Sequence, residues 1–177
     1  MPLGSKSDLR VLIAMSNGQA AKGARAVFKE QGAELFQVVE GKQAALEKMQ
    51  HVSYNLLLVE DSFSDLGGID FVRYVRMSGS PTSVAPIIFA MKTPSKETVV
   101  EARDAGVNKM VIMPFTTTSL LKNLADIMLN PRPFLQVTGY DGPCRRLKPH
   151  VPRANERRIS PQGIMPLKKL QKVFRGI

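Results

Sequence analysis

Cysteine is almost absent: Cys144 is the one thiol among 177 residues. A lone cysteine closes no intrachain disulfide and supplies no multi-cysteine metal cluster. No apolar run approaches the roughly 18 residues that a membrane-spanning helix needs, so no integral span is expected. Met1–Asp8 carries no apolar stretch of the kind a secretory leader requires, and a cytoplasmic setting is the expectation. Acidic residues are scarce in one place only. Residues 1–129 hold 14 basic and 13 acidic side chains, whereas residues 130–177 hold 11 basic and 2 acidic. Nearly all of the net charge of +10 therefore belongs to the final 48 residues, which also contain seven of the twelve prolines. Charge-driven partners are to be sought at that segment and not over the whole surface.

What remains is a near-neutral body with a regular alternation. Leu9–Met15 is a short apolar run, broken by Ser16, Asn17 and Gly18. Gln19–Gln31 places Ala21, Ala24, Val27 and Phe28 on one helical face and ends at Gly32. Leu35–Val39 reads as a strand, Lys42–Gln50 as a short helix, and Asn55–Val59 (NLLLV) as a fully buried strand. Glu60–Gly68 is a polar loop, Asp70–Met77 a helix, and Gly79–Thr82 a linker. Ile87–Met91 is the next strand, and Ser95 caps a helix running to about Ala105. Lys109–Met113 and Thr118–Leu129 complete five strand–helix units. Continuous apolar strands alternating with amphipathic helices predict an α/β fold, a parallel sheet covered on both faces. Such sheets place their chemistry at the carboxyl ends of the strands, here Ser16/Asn17, Glu60/Asp61, Met91/Lys92 and Met113/Pro114.

Several stretches resemble the receiver domains of bacterial two-component response regulators. They are Asn55–Val59 leading into an acidic residue, Gly68 eight positions past Glu60, Ile69–Arg76, Pro86–Phe89, Ala105–Val107 and Met113–Phe115. The resemblance covers residues 8–130. It implies a flavodoxin-like five-stranded sheet and a cis peptide before Pro114.

The family's aspartyl phosphorylation needs an acidic pair and an acceptor Asp around Mg²⁺, with a Ser/Thr and a Lys to grip the phosphoryl group. Here Ser16 and Asn17 stand at the acidic pair, Glu60 at the acceptor, Met91 at the Ser/Thr and Met113 at the Lys. Met110 stands in for the switch aromatic. A hard cation wants carboxylate oxygens, and a thioether cannot neutralise a phosphoryl group. No metal and no enzymatic activity are therefore expected, and Met91, Met110 and Met113 read most simply as core packing. Glu60 reads as a solvated loop carboxylate. Its alternative, an imitation of the phosphorylated state, is opposed by the missing Lys and Thr. Asp61 is a second acidic residue reachable by a slip of register.

The remainder divides into an arginine- and proline-rich extension, 131–162, and a terminal segment, 163–177. Arg145/Arg146 and Arg157/Arg158 form two pairs twelve residues apart, with Arg153, Lys148 and Tyr140 in the same stretch. Guanidinium groups fit phosphate oxygens and the O6/N7 edge of guanine, and they stack on flat rings. With Tyr140 and an acid, Asp141 or Glu156, they compose a purine–phosphate site. The same residues also suit a general arm for polyanions or nucleic acid, or a docking peptide for an acidic protein surface.

The layout, a degenerate receiver with an arginine-rich extension, resembles single-receiver proteins of alphaproteobacteria that bind cyclic di-GMP and act on the flagellar motor or attachment machinery. That resemblance implies cyclic di-GMP as ligand and a motility or attachment protein as partner. Two other functions stay open: a ligand-independent interaction module, and a residual phospho-receiver using Asp61 or Glu60. Gly163–Ile177 places Leu167, Leu170 and Phe174 opposite Lys168, Lys169, Lys172 and Arg175. It is expected to form a short amphipathic helix starting near Pro166, for the body, a partner or a lipid surface.

Overall fold

The computed structural model describes residues 9–145 and 164–165. Five parallel strands, β1 (Arg10–Ala14), β2 (Leu35–Val39), β3 (Leu56–Glu60), β4 (Ile87–Met91) and β5 (Lys109–Ile112), form one sheet in the order β2-β1-β3-β4-β5. The helices between and after them are α1 (Gly18–Glu30), α2 (Lys42–His51), α3 (Gly68–Met77), α4 (Lys96–Asp104) and α5 (Thr117–Leu129). This is the flavodoxin-like arrangement expected from the alternation. No helix among the described residues is long and apolar enough to cross a membrane.

The two-residue period of the strands builds two cores from one sheet. Val11, Ile13, Leu56, Leu58, Ile88, Ala90 and Val111 point to one face, where Ala24 and Phe28 of α1 and Leu120 and Leu124 of α5 cover them. Leu12, Ala14, Leu57, Val59, Ile87, Phe89 and Met91 point to the other, against Ala45 of α2, Phe71, Val72 and Val75 of α3 and Ala102 of α4. Because both faces are covered, the strands need apolar residues at every position. Helix ends obey the local chemistry. Asn17 Oδ1 accepts from the N–H groups of Gln19 and Ala20, and Ser95 Oγ from that of Thr98. The Met113–Pro114 peptide is cis, as the resemblance implied.

Two departures follow from what lies beyond the sheet. The linker read over Gly79–Thr82 runs into a 3₁₀ turn, Pro81–Val84. The extension after α5 does not begin as open proline-rich chain. β6 (Phe134–Val137) and β7 (Tyr140–Pro143) form an antiparallel hairpin turned at Gly139, and β8 (Ile164–Met165) pairs with the other side of β6. Ile164 and Met165, at the head of the terminal segment 163–177 assigned to an amphipathic helix, are thus strand, and Pro166–Ile177 lie outside the described residues. Strand pairing at Phe134 and Leu135 competes with helix formation because it gives those two residues a ladder, which a short helix in isolation lacks.

The hairpin rests on a buried guanidinium. Arg76, near the end of α3, is 4% exposed. All five of its N–H groups are used: Nε and one Nη on Gly106 O, the other Nη on Ser83 O and Ala85 O, and the last N–H on Asn108 Oδ1. Burial lowers its pKa to about 9, against the fields of Tyr140 and Asp141, so it stays charged at neutral pH. Phe134 packs its ring 5.3 Å from that guanidinium carbon. Backbone meets backbone beside it. Gly106 has φ +98, and a Cβ there would lie 2.9 Å from Asp141 O. Arg76→Leu should remove the donor from three carbonyls at once and cost about 3 kcal/mol or more, read as a lower urea midpoint. An unchanged midpoint would show that the guanidinium is dispensable.

Candidate functional site

The carboxyl ends of the strands gather Ser16, Asn17, Glu60, Asp61, Met91 and Met113, as the topology requires. Glu60 is the last residue of β3, and its side chain is fully buried. This overturns the reading of a solvated loop carboxylate. The burial has a simple origin: α3 is drawn so close over the end of β3 that a Cβ on Gly68 would lie 2.1 Å from Glu60 O and 2.9 Å from the Phe89 ring. Only glycine allows that approach, and the loop between closes over the carboxyl group.

A carboxylate taken out of water needs partners, and Glu60 has three. Its Oε2 accepts the backbone N–H of Ser16 at 2.7 Å and that of Asn17 at 3.1 Å. Lys92 Nζ stands 2.8 Å from its Oε1. Burial by itself would raise the Glu60 pKa. The Lys92 ammonium and the two backbone donors outweigh it, so the carboxyl titrates below its ordinary 4.5. Lys92 is correspondingly raised, by its hydrogen bond to Glu60 first and the attraction of that charge second.

Lys92 was placed by the sequence at the carboxyl end of β4 but given no role, because the missing lysine was sought after β5 and Met113 found there. The ammonium comes instead from the residue after β4. Its backbone N–H also donates to Asp61 Oδ2 at 2.9 Å, and its Nζ reaches Ser62 Oγ at 3.2 Å. Asp61 is therefore a tether for the β4–α4 loop. Its own N–H bonds Ala90 O and its carbonyl accepts from Gly68.

The methionines sit in packing roles. Met91 is 2% exposed within the core beneath α2, α3 and α4. Met110 packs against the same core and Met113 against the opposite one. Met113 N–H donates to Met91 O at 2.7 Å, tying the ends of β4 and β5.

This donor set does not fit Mg²⁺. Asn17 Oδ1 is spent capping α1. Ser16 and Asn17 turn N–H groups toward Glu60, and an ammonium already stands at its other oxygen. A hexacoordinate shell of oxygens has no place to form. Among the described residues, no group of three or more His, Cys, Asp or Glu is placed to hold a metal ion.

Two of the ligand residues expected in the extension, Tyr140 and Arg145, lie at the other end of the sheet. Arg145 stacks its guanidinium carbon 3.9 Å from the Tyr140 ring centroid and pairs with Asp104 at 3.3 Å. Tyr140 Oη donates to Pro143 O at 2.7 Å, which fixes the ring. Both residues adjoin the α4–β5 loop, which precedes β5, whereas Glu60 and Lys92 follow β3 and β4. Arg146, Arg153, Arg157 and Arg158 lie outside the described residues. Cys144 is buried at 7% exposure, a packed small residue.

No protein-family model matches the chain. Solved structures do. The chemotaxis protein CheY4 of Vibrio cholerae superposes with TM-score 0.62 at 21% identity, covering 67% of this chain and 98% of that one. A two-component response regulator of Clostridium difficile gives 0.62 at 17% identity, covering 69% and 97%. A response regulator of Thermotoga maritima gives 0.61 at 15%, covering 69% and 98%. The fold is the receiver fold. Among curated proteins, the CAI-1 autoinducer sensor kinase/phosphatase CqsS of Vibrio cholerae is 24% identical over 121 residues. That match covers 68% of this chain and 18% of the sensor kinase, so the chain spans less than a fifth of this relative.

The receiver fold thus carries, at the carboxyl ends of its strands, a buried carboxylate paired with a half-exposed lysine. Since the folded pKa of Glu60 is lowered, its stabilisation is present above 4.5 and lost as pH falls through the folded value. Glu60→Gln should lower unfolding free energy at about pH 7 by about 1–3 kcal/mol, with the difference shrinking toward about pH 3. Urea titrations of both proteins at the two pH values check this. A constant difference would mean that the carboxylate charge is not what stabilises the loop.

Proposed function

We propose that the protein is a receiver-fold signalling adaptor that does not cycle through aspartyl phosphorylation. Its input is cyclic di-GMP bound through the arginine-rich extension, and its output goes to a protein of the motility or attachment machinery. One observation carries the first half of this reading: the acceptor position is a buried carboxylate held by Lys92 and two backbone N–H groups. A carboxylate so engaged is a poor nucleophile toward a phosphoryl donor, and a thioether stands where the phosphoryl group would need a lysine. Acetyl phosphate with Mg²⁺ should leave the intact mass of the protein unchanged. A phosphorylated species lost in Glu60→Gln or Asp61→Asn would restore the phospho-receiver reading.

The second half is supported by composition and by the Arg145–Tyr140 pair. Arginine outnumbers lysine between residues 145 and 158, which favours bidentate and stacking recognition over plain charge. The stack of Arg145 on Tyr140 presents a guanidinium and a ring together at the root of that stretch. Calorimetry of cyclic di-GMP, GTP and a polyanion at two salt concentrations separates the readings. Saturable micromolar binding of cyclic di-GMP, lost in Arg145→Ala/Arg146→Ala, is the expected result. Comparable, steeply salt-dependent binding of all three would reduce the extension to a basic arm for polyanions or nucleic acid.

A ligand-independent interaction module is favoured by a different observation. Val99 and Val100 of α4, Ile112 of β5, and Met128 and Leu129 of α5 are all exposed. Co-purification of a partner that is indifferent to the dinucleotide would select that reading.

A further inference from the structure

We propose that the groove between α3 and the β6–β7 hairpin is the subsite for one guanine base, with α3 forming one wall and Asp141 selecting the base. This rests on the guanine dinucleotide reading above. The groove measures about 300 Å³ and is lined by Arg73 and Met77 of α3, Asp104, and Val137, Tyr140 and Asp141 of the hairpin. That volume lies at the lower end for small-molecule sites and is ample for a single purine.

The chemistry of the lining narrows what enters. Met77 is 79% exposed. An unbranched thioether left in water at the mouth of a groove adapts well to the face of a flat ring. Tyr140 offers a ring held by its bond to Pro143 O and flanked by the Arg145 guanidinium. A bare phosphate is disfavoured, because Asp104 and Asp141 bring two carboxylates into the lining. The cations give little remedy: every N–H of Arg76 is already spent on Gly106, Ser83, Ala85 and Asn108, Arg73 is paired with Asp70 and Arg145 with Asp104, which leaves the last two only part of their forks for a ligand. The groove therefore asks for a planar ligand with donors on one edge and acceptors on another.

Guanine answers that description. Its N1–H and N2 amino group are adjacent donors that match the two oxygens of a carboxylate, and its O6/N7 edge accepts from a guanidinium such as Arg73 or Arg145. Adenine would turn its N1 acceptor and C2–H toward Asp141, leaving a repulsive contact and carboxylate oxygens without a donor. The depth of the groove is fixed by backbone contact. A Cβ on Gly142 would lie 2.9 Å from Gly106 Cα and 2.6 Å from Tyr140 Oη.

Methyl-labelled methionine in the full-length chain supplies a readout that needs no binding variant, with Met77 assigned through Met77→Leu. Addition of cyclic di-GMP should shift the Met77 methyl signal saturably and leave Met113, at the opposite end of the sheet, unmoved. Cyclic di-AMP should not shift it. Asp141→Asn should weaken cyclic di-GMP about tenfold or more and narrow its preference over cyclic di-AMP. Calorimetric binding with a silent Met77 overturns the subsite while the dinucleotide reading stands. A shift with affinity and base preference unaltered in Asp141→Asn overturns the role given to that carboxylate. Absence of any calorimetric binding overturns both.

Discussion

A charge removed from water has to be answered by counter-charge or by hydrogen bonds, and this constraint acts at both ends of the sheet. At the carboxyl end the charge is Glu60, answered by Lys92 and by the N–H groups of Ser16 and Asn17. At the amino end it is Arg76, answered by three carbonyls and one side-chain amide oxygen. Neither group has a cheap alternative. An unpaired buried ion costs several kcal/mol, so the loops that supply the partners are held in the positions that supply them. The β1–α1 turn and the β4–α4 loop are fixed by one charge. The α4–β5 loop, the turn before β4 and the hairpin are fixed by the other.

The consequence at the carboxyl end is chemical. A receiver-type centre needs an acceptor carboxylate exposed to a metal and a phosphoryl donor, and reaction must change what the surrounding loops touch. Here the longer side chain of Glu reaches a lysine one residue beyond β4, and the ion pair is made within the chain itself. The loop that would respond to a phosphoryl group is already tied, by Lys92 Nζ to Glu60 and by Lys92 N–H to Asp61. Met91 is buried beneath it and Met113 N–H is bonded to Met91 O, so the open groove that remains there, lined by Asn17, Lys92, Met113 and Phe115, offers a phosphoryl group a thioether and an ammonium already paired with Glu60.

The sheet was legible because its code is local and redundant. Asn55–Val59, the Ala21/Ala24/Val27/Phe28 face and the Ser95 cap each declare an element without reference to distant residues. The buried charges were not legible in the same way. Arg76 closes an amphipathic helix where a solvated cation is the ordinary expectation, and only the later turns at Ser83, Ala85 and Gly106 make it interior. Lys92 was named at its strand end without a role because a resemblance fixes positions, whereas an ammonium on a four-carbon stem can reach a carboxylate from a neighbouring strand end. The hairpin was hidden by Pro131, Pro133 and Pro143, which speak against strands in general. They are tolerated because two of them precede β6 and the third stands at the last position of β7. Phe134, the one large aromatic in that stretch that packs on Arg76, was its available signal.

Opposite placement of the two charges constrains how the extension can influence the rest of the molecule. The groove beside Tyr140 and the Glu60–Lys92 pair share no side chain, so no ligand at the hairpin competes directly for the ion pair. The two ends are joined by β4 and β5, and by α3, whose Gly68 lies on Glu60 and whose Arg76 packs on Phe134. Both strands are pinned at each end: β4 by Ala85 on Arg76 before it and Lys92 on Glu60 after it, β5 by Asn108 and by Met113. A five-residue strand spans roughly 17 Å and does not stretch. What it can pass on is a rigid displacement, and a displacement that loosens Arg76 at one end must also strain the Lys92 contacts at the other. Coupling of that kind needs two discrete arrangements of the strand ends. The structure shows one of them, with every N–H of Arg76 bonded at one end and Lys92 on Glu60 at the other.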